Sequence, residues 1–212
     1  MNAAVALAIA YVAGSIPSAY IAGRVVKGID LRTVGSGNLG ATNVYRSLGA
    51  GVAAVVFAVD MLKGALPAAL LPALVLPPEA MGTDRATWWA LAFGIAAIIG
   101  HAKPVFLLWK GGGKGVATAA GIFAALSPLP LVIALGVFVV VLWRTGYVSA
   151  GSLTAAITLP VLLTWFSGVR SPITIIAVLV CVFVFWSHRA NIQRLRDGTE
   201  HRFRRSKPGE AV

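Results

Sequence analysis

The run Val116–Trp143, VATAAGIFAALSPLPLVIALGVFVVVLW, decides how many times this chain crosses a membrane. It is apolar almost throughout, yet Ser127-Pro128-Leu129-Pro130 interrupts it near the middle. Proline has no N–H to give a helix, and its ring pushes the preceding residue out of the helical region. Two helices are therefore expected, Val116–Leu126 and Leu129–Trp143. The first is short against the ~20 residues that cross a bilayer, so on length alone a count of six helices stays open beside seven.

Around this run, five other stretches read as spans: Ala3–Gly23, Gly51–Leu76, Trp88–Leu108, Val148–Phe166 and Pro172–Trp186. The composition agrees. The 212 residues are 58% hydrophobic and 12% charged, and mean hydropathy is +0.84. A soluble domain carries about 25% charged residues, so a water-soluble globular enzyme is excluded, and disorder with it. The single cysteine, Cys181, lies in an apolar run, which excludes a disulfide framework and a Cys-rich zinc site.

Charge decides the parity. No Lys or Arg precedes Arg24, and Arg24, Lys27, Arg32 and Arg46 follow closely. Cytoplasmic loops collect basic residues, so the N-terminus is expected outside and the first loop inside. A cleaved signal peptide would want a basic start and is not expected. The loop 77–87 falls outside, and the loop with Lys110 and Lys114 falls inside. The tail, basic from Arg189 to Lys207, must also be inside. An even number of crossings then separates Gly115 from His188, and four helices satisfy it. The fold expected is thus an all-α integral membrane protein of about seven helices with a cytoplasmic C-terminus. One transmembrane domain covers residues 1–200, and a basic, disordered tail covers 201–212. The net charge of +11 reads as loops facing anionic headgroups. The tail has one aromatic, Phe203, and offers no stacking platform, so nucleic acid is not expected as a partner.

Four polar segments would then share the cytoplasmic face. In Gly35-Ser36-Gly37-Asn38-Leu39-Gly40-Ala41-Thr42-Asn43-Val44-Tyr45-Arg46, glycines let backbone N–H groups converge on one point, as in phosphate-binding nests. Short polar side chains and the planar fork of Arg46 add to that reading. A plain polar hairpin would not need so dense a run. In Lys110-Gly111-Gly112-Gly113-Lys114-Gly115-Val116-Ala117-Thr118, the resemblance to a Walker A loop fails because Gly115 follows the lysine and Leu108 stands where glycine belongs. Nucleotide hydrolysis is disfavoured. A glycine turn feeding a helix N-terminus still suits an anion, and by itself it reads equally well as a flexible turn. Tyr147-Val148-Ser149 leads a span that carries Ser152. In His188–Glu200, His188, Asn191 and Leu195 share one helical face. By itself that segment reads first as a basic flank with His188 at the interface.

Smaller features are Asp60 and Lys63, charged and three apart inside a span, where such groups are costly and usually paired or functional. His101 and Lys103 precede Pro104. Gly14, Ser15, Pro17 and Ser18 read as a kink or a packing point in the first helix.

Taken in order, these segments resemble the acyl-phosphate:glycerol-3-phosphate acyltransferase family, small bacterial membrane enzymes called PlsY. The likeness rests on Gly35–Arg46, Gly112–Thr118, Tyr147–Ser149, His188-Arg189-x-Asn191-Ile192-x-Arg194-Leu195 and Gly198-Thr199-Glu200, with Gly14–Pro17 and Asp60-x-x-Lys63-Gly64 in support. Leu39 departs from it, standing where many relatives have proline, and Gly111 is an additional glycine. The resemblance implies seven membrane helices in the bacterial inner membrane with an active site facing the cytoplasm. It implies transfer of a fatty acyl group from acyl phosphate to the 1-hydroxyl of sn-glycerol 3-phosphate, giving lysophosphatidate and phosphate in a first step of phospholipid synthesis. No cofactor, metal or obligate protein partner is implied. Ser36, Arg46, Lys114, His188 and Asn191 would carry the reaction. Arg46 and Lys114 would hold phosphate, and His188 and Asn191 would orient glycerol 3-phosphate. Substrate contacts would come from Gly37, Asn38, Thr42, Asn43, Gly112, Gly113, Ser149, Ser152, Arg189, Arg194 and Glu200. No histidine here is followed five residues later by Asp. The proton acceptor is then either His188 or an oxygen of the acyl phosphate, and the resemblance favours the second. A multipass organic-phosphate transporter is the alternative, although such proteins place sites near the midplane, often in paired repeats, and no repeat is visible here.

Overall fold

The structure is a computed structural model that describes residues 1–203. These residues form α1 (Ala3–Gly14), α2 (Ser18–Lys27), α3 (Ala41–Leu48), α4 (Ala50–Val75), α5 (Asp84–Ala102), α6 (Val116–Leu126), α7 (Pro128–Thr145), α8 (Val148–Ser167), α9 (Pro172–Ser187) and α10 (Arg189–Arg196). The run 116–143 is indeed two helices. Ser127, at φ −155° and ψ 72°, leaves the helical region, ends α6, and leads directly into Pro128 at the first turn of α7, where a missing N–H costs nothing.

Five stretches are long and apolar enough to cross a membrane: Ala3–Lys27, Ala50–Val75, Asp84–Leu107, Pro128–Thr145 and Val148–Ser167. A sixth arises if α9 and α10, bent by 59° at His188, are taken together. The seven-helix expectation therefore meets five or six such stretches. The difference lies in α6, whose 11 residues rise only about 16 Å against a hydrocarbon core of about 30 Å, and, where five are counted, also in α9, whose 16 residues fall short without α10. The first span also differs from a continuous Ala3–Gly23. Pro17 breaks it after Ser15, and α2 continues to Lys27, where Gly28 at φ +67° caps it in the left-handed region.

Packing follows membrane logic. On α4, Leu62, Leu66, Leu70 and Leu74 form an exposed stripe, while Asp60, Lys63, Gly64, Pro67, Ala68 and Leu71 are buried. Lipid is as apolar as leucine, so helices associate through close contact of small residues. A Cβ on Gly64 would overlap the Thr118 carbonyl, and one on Gly121 would overlap that of Met61. The short α6 is thus pressed backbone to backbone against α4 and buries Thr118–Phe123 in the centre of the molecule.

The basic segments meet at one end. Lys27 Nζ donates to the Ser47 carbonyl (2.6 Å), Arg32 to that of Lys110 (3.4 Å) and Arg46 to that of His201 (3.1 Å). At the opposite end the Met1 amine donates to the Leu74 carbonyl (2.6 Å). The tail expected to be disordered from residue 201 is packed over its first three residues, and residues 204–212 lie outside the described residues. Phe203 N donates to the Gly146 carbonyl (2.6 Å), and its ring stacks on Tyr45 at 4.4 Å.

Candidate active site

The first polar segment is folded around one buried side chain. Asn43 Nδ2 donates to the carbonyls of Leu31 (3.1 Å) and Val34 (3.0 Å), and its Oδ1 accepts from Ser36 N (3.2 Å). With both ends of its amide engaged, Asn43 shapes the loop. That loop and α3 bring Ser36, Asn38, Thr42 and Arg46 to the wall of one cavity. Gly37, at φ +68°, makes the turn and does not line it. The Leu39 amide donates to the Gly112 carbonyl (3.2 Å), tying the first loop to the second. A proline there would have no such donor.

The other segments converge on Glu200. Its Oε1 accepts from Ser149 Oγ (3.0 Å) on α8 and Asn191 Nδ2 (2.7 Å) on α10, and its Oε2 pairs with Arg194 Nε (2.7 Å). Asn191 Oδ1 in turn accepts from Lys114 Nζ. Burial alone would raise the Glu200 carboxyl, but the hydrogen bonds from Asn191, Arg194 and Ser149 hold it below the ordinary carboxylate range. Burial brings the Lys114 ammonium down to about 8; Glu200 opposes that shift, and Arg194 and Arg46 add to it. Three cations, Arg46, Lys114 and Arg194, thus surround one carboxylate. The excess positive charge suits a ligand carrying phosphate.

His188 stands where α9 ends and α10 turns away. Its Nδ1 lies 2.8 Å from the Val184 carbonyl. A carbonyl only accepts, so Nδ1 carries the hydrogen and Nε2 is left with a lone pair. Burial first, and Lys114 second, bring this imidazole down to about 4. It is neutral at physiological pH and presents an acceptor.

The cavity measures about 650 Å³ and has two zones. The mouth holds Ser36, Arg46, Lys114, Ser149, His188, Asn191, Arg194 and Glu200. Below it runs an apolar groove, kept open by small residues such as Ala120, Ala134, Ala155 and Ala177, and walled by Phe57, Phe123 and Phe138. The structure thus joins every expected site residue except Gly37, Gly112, Gly113 and Arg189. Arg189 lies over the Trp186 ring at 4.8 Å. Gly112 and Gly113 are packed behind the cavity, where a Cβ would overlap the Ala102 carbonyl and His101 Nε2 respectively. The sequence reading missed Tyr45, His201 and Phe203 as walls of the mouth. Their signal was faint, namely one aromatic residue in an otherwise polar tail.

The family profile described as Glycerol-3-phosphate acyltransferase matches residues 4–198. The glycerol-3-phosphate acyltransferase of Geobacter metallireducens is 49% identical over 199 residues, covering 93% of this chain and 96% of the relative. That of Geotalea daltonii is 44% identical over 196 residues, covering 92% and 95%. Among solved structures, the crystal structure of PlsY, an integral membrane glycerol 3-phosphate acyltransferase, is similar in its glycerol 3-phosphate form. It has a TM-score of 0.83 at 37% identity and covers 95% of this chain and 96% of that one. Its lysophosphatidic acid form gives a TM-score of 0.82 at 36% identity, covering 94% of each chain.

Proposed function

This chain belongs to the glycerol-3-phosphate acyltransferase family of integral membrane enzymes, and from that premise we propose its donor, its regiochemistry and the roles of its residues. The donor is an acyl phosphate, the acceptor is the 1-hydroxyl of sn-glycerol 3-phosphate, and the products are lysophosphatidate and phosphate. The observation that carries this reading is a cavity in which a basic, polar mouth opens directly into an apolar groove. Such a shape suits a phosphate head joined to a fatty tail.

Arg46 and Lys114 hold the phosphates, Arg46 as a planar fork and Lys114 as a point charge. His188 Nε2 accepts a hydrogen bond from the attacking hydroxyl. Asn191 donates one amide hydrogen to Glu200 and accepts from Lys114 at Oδ1, leaving a second amide hydrogen for the acceptor's polar groups. The hydroxyl oxygen attacks the carbonyl carbon, the new ester bond forms, and the bond from that carbon to the bridging phosphate oxygen breaks. Phosphate leaves with the electron pair, and the hydroxyl proton passes to one of its oxygens. An imidazole brought down to about 4 is a weak base, which supports the substrate as proton acceptor and His188 as the group that aims the hydroxyl. Little side-chain chemistry is needed when the leaving group is already good.

The active site faces the cytoplasm of a bacterial plasma membrane. Supporting this, the segments bearing Arg24, Lys27, Arg32, Arg46, Lys110, Lys114 and Arg194 lie at the end of the bundle that holds the mouth. The α6–α7 pair begins beside Lys114 and ends at Gly146, whose carbonyl accepts from Phe203 N, which supports the even count of crossings.

The test is purified protein in detergent with palmitoyl phosphate and glycerol 3-phosphate. Phosphate release that requires glycerol 3-phosphate is expected, with no transfer from palmitoyl-CoA. Efficient use of palmitoyl-CoA would overturn the donor assignment.

A further inference from the structure

Three ionisable side chains lie buried inside the helical bundle and are assigned no step in the reaction above, although Asp60 and His101 line the cavity. Lys63 Nζ pairs with Asp60 Oδ1 at 2.7 Å, and their side chains are 5% and 1% exposed. Lys63 also donates to the Ile16 carbonyl (3.1 Å), at the break before Pro17. Ser18 Oγ donates to Asp60 Oδ1 (2.6 Å), and His101 Nδ1 faces the same oxygen at 3.6 Å. Charges at such depth are expensive, and here one carboxylate oxygen gathers polar partners from three elements, the Ser18 hydroxyl of α2, Lys63 of α4 and His101 of α5.

The far side of His101 meets the glycine loop. Its backbone carbonyl accepts from Gly113 N (3.1 Å), and its Nε2 occupies the space into which a Cβ of Gly113 would project. The next residue is Lys114. Asp60 therefore faces the Nδ1 edge of the imidazole, and Gly113 lies against its Nε2 edge. Gly113 is a glycine because the ring is there, not because a substrate must approach it.

We propose that Asp60, Lys63 and His101 form a positioning cluster that fixes the glycine loop, and through it places Lys114 for the acyl-phosphate donor. This rests on the donor reading above. Lys63 lies outside the cavity lining, and Asp60 and His101, which line it, act through the loop and not on the reacting atoms. Their effect is transmitted by packing of His101 on Gly113, and it falls on donor binding more than on the acceptor.

The test is a pair of coupled variants assayed with palmitoyl phosphate and glycerol 3-phosphate. Gly113→Ala is expected to raise the donor KM by about tenfold, because its methyl group collides with His101 and the loop must shift. Gly113→Ala/His101→Ala removes the obstruction together with the support, and is expected to show only the smaller, several-fold rise that His101→Ala gives alone. A double variant no better than Gly113→Ala would overturn the inference and return Gly113 to direct substrate contact. The second arm is Asp60→Asn/Lys63→Met, which removes both charges together so that neither is left buried alone. It is expected to raise the donor KM several-fold, with the glycerol 3-phosphate KM within about twofold and the melting temperature in detergent little changed. Equal loss toward both substrates, or a fall in kcat alone, would overturn the positioning role. Wild-type protein without phosphate release would instead reject the donor reading itself, so the two failures are distinguishable.

Discussion

Arg46 and Lys114 are both cations in the mouth, yet substitution is expected to separate them. Arg46→Lys should lose about tenfold or more in turnover, because a point charge does not reproduce a planar fork at phosphate. Steady-state kinetics on the folded variant decides it, and near-normal turnover would reject the bidentate role. Lys114 sits at about 8, so it is charged below that pH and loses its charge as pH rises through it. The donor kcat/KM, measured at saturating glycerol 3-phosphate, should therefore fall above about pH 8. In Lys114→Arg the same limb should move beyond about pH 10, whatever the loss in rate, because a guanidinium stays protonated there. His188, neutral above about 4, contributes no limb between. His188→Gln keeps an acceptor for the hydroxyl and should retain more turnover than His188→Ala, which leaves polar partners unpaired. Equal loss in two folded variants would favour an obligatory histidine base.

At the scale of elements, the C-terminal strap does work that its charge pattern conceals. Thr199–Phe203 returns from α10 across the mouth, and Glu200 clamps α8 and α10 while Phe203 stacks on Tyr45 of α3. Glu200→Ala should lower stability by about 1–3 kcal/mol, toward the smaller figure because Arg194 can turn to water. It should also lower turnover, since Asn191 and hence Lys114 lose their anchor. Melting curves and activity of the detergent-solubilised protein check this, and Glu200→Gln should be milder on both. The two-helix reading of 116–143 follows from the Ser127–Pro130 interruption alone, but the role of α6 does not. A helix too short to cross is kept at the centre by Gly64 and Gly121, which let it lie directly on α4.

At the scale of the whole molecule, the basic mouth and the far end should be separable by chemistry in intact cells. Single cysteines replacing the exposed Thr83 and Val169 should react with an impermeant thiol reagent. Cysteines replacing the exposed Ala50, Thr145 and Thr199 should be shielded until the membrane is opened. Native Cys181 lies inside α9 and lines the cavity, so a Cys181→Ser background keeps the readout clean. Labelling at Thr145 in closed cells would break the proposed parity and with it the cytoplasmic placement of the site.

Hydropathy, charge placement and proline positions were sufficient to reveal an all-helical membrane protein whose polar segments gather at one end, because each is a local property of the chain weighed against lipid. The ordered motifs were sufficient to name Ser36, Arg46, Lys114, His188 and Asn191, and these residues do meet in one cavity. What needed the tertiary structure is which polar groups are already occupied. Asn43 and Asn191 look alike as a sequence, yet one is consumed by its own loop and the other links Lys114 to Glu200. Gly112 and Gly113 look like substrate contacts and are instead packed against the end of α5. Asp60, Lys63 and His101 form one cluster across a gap of about 40 residues. Hydrogen-bond partners and close approach depend on how distant helices pack, and no periodicity within a single helix encodes them.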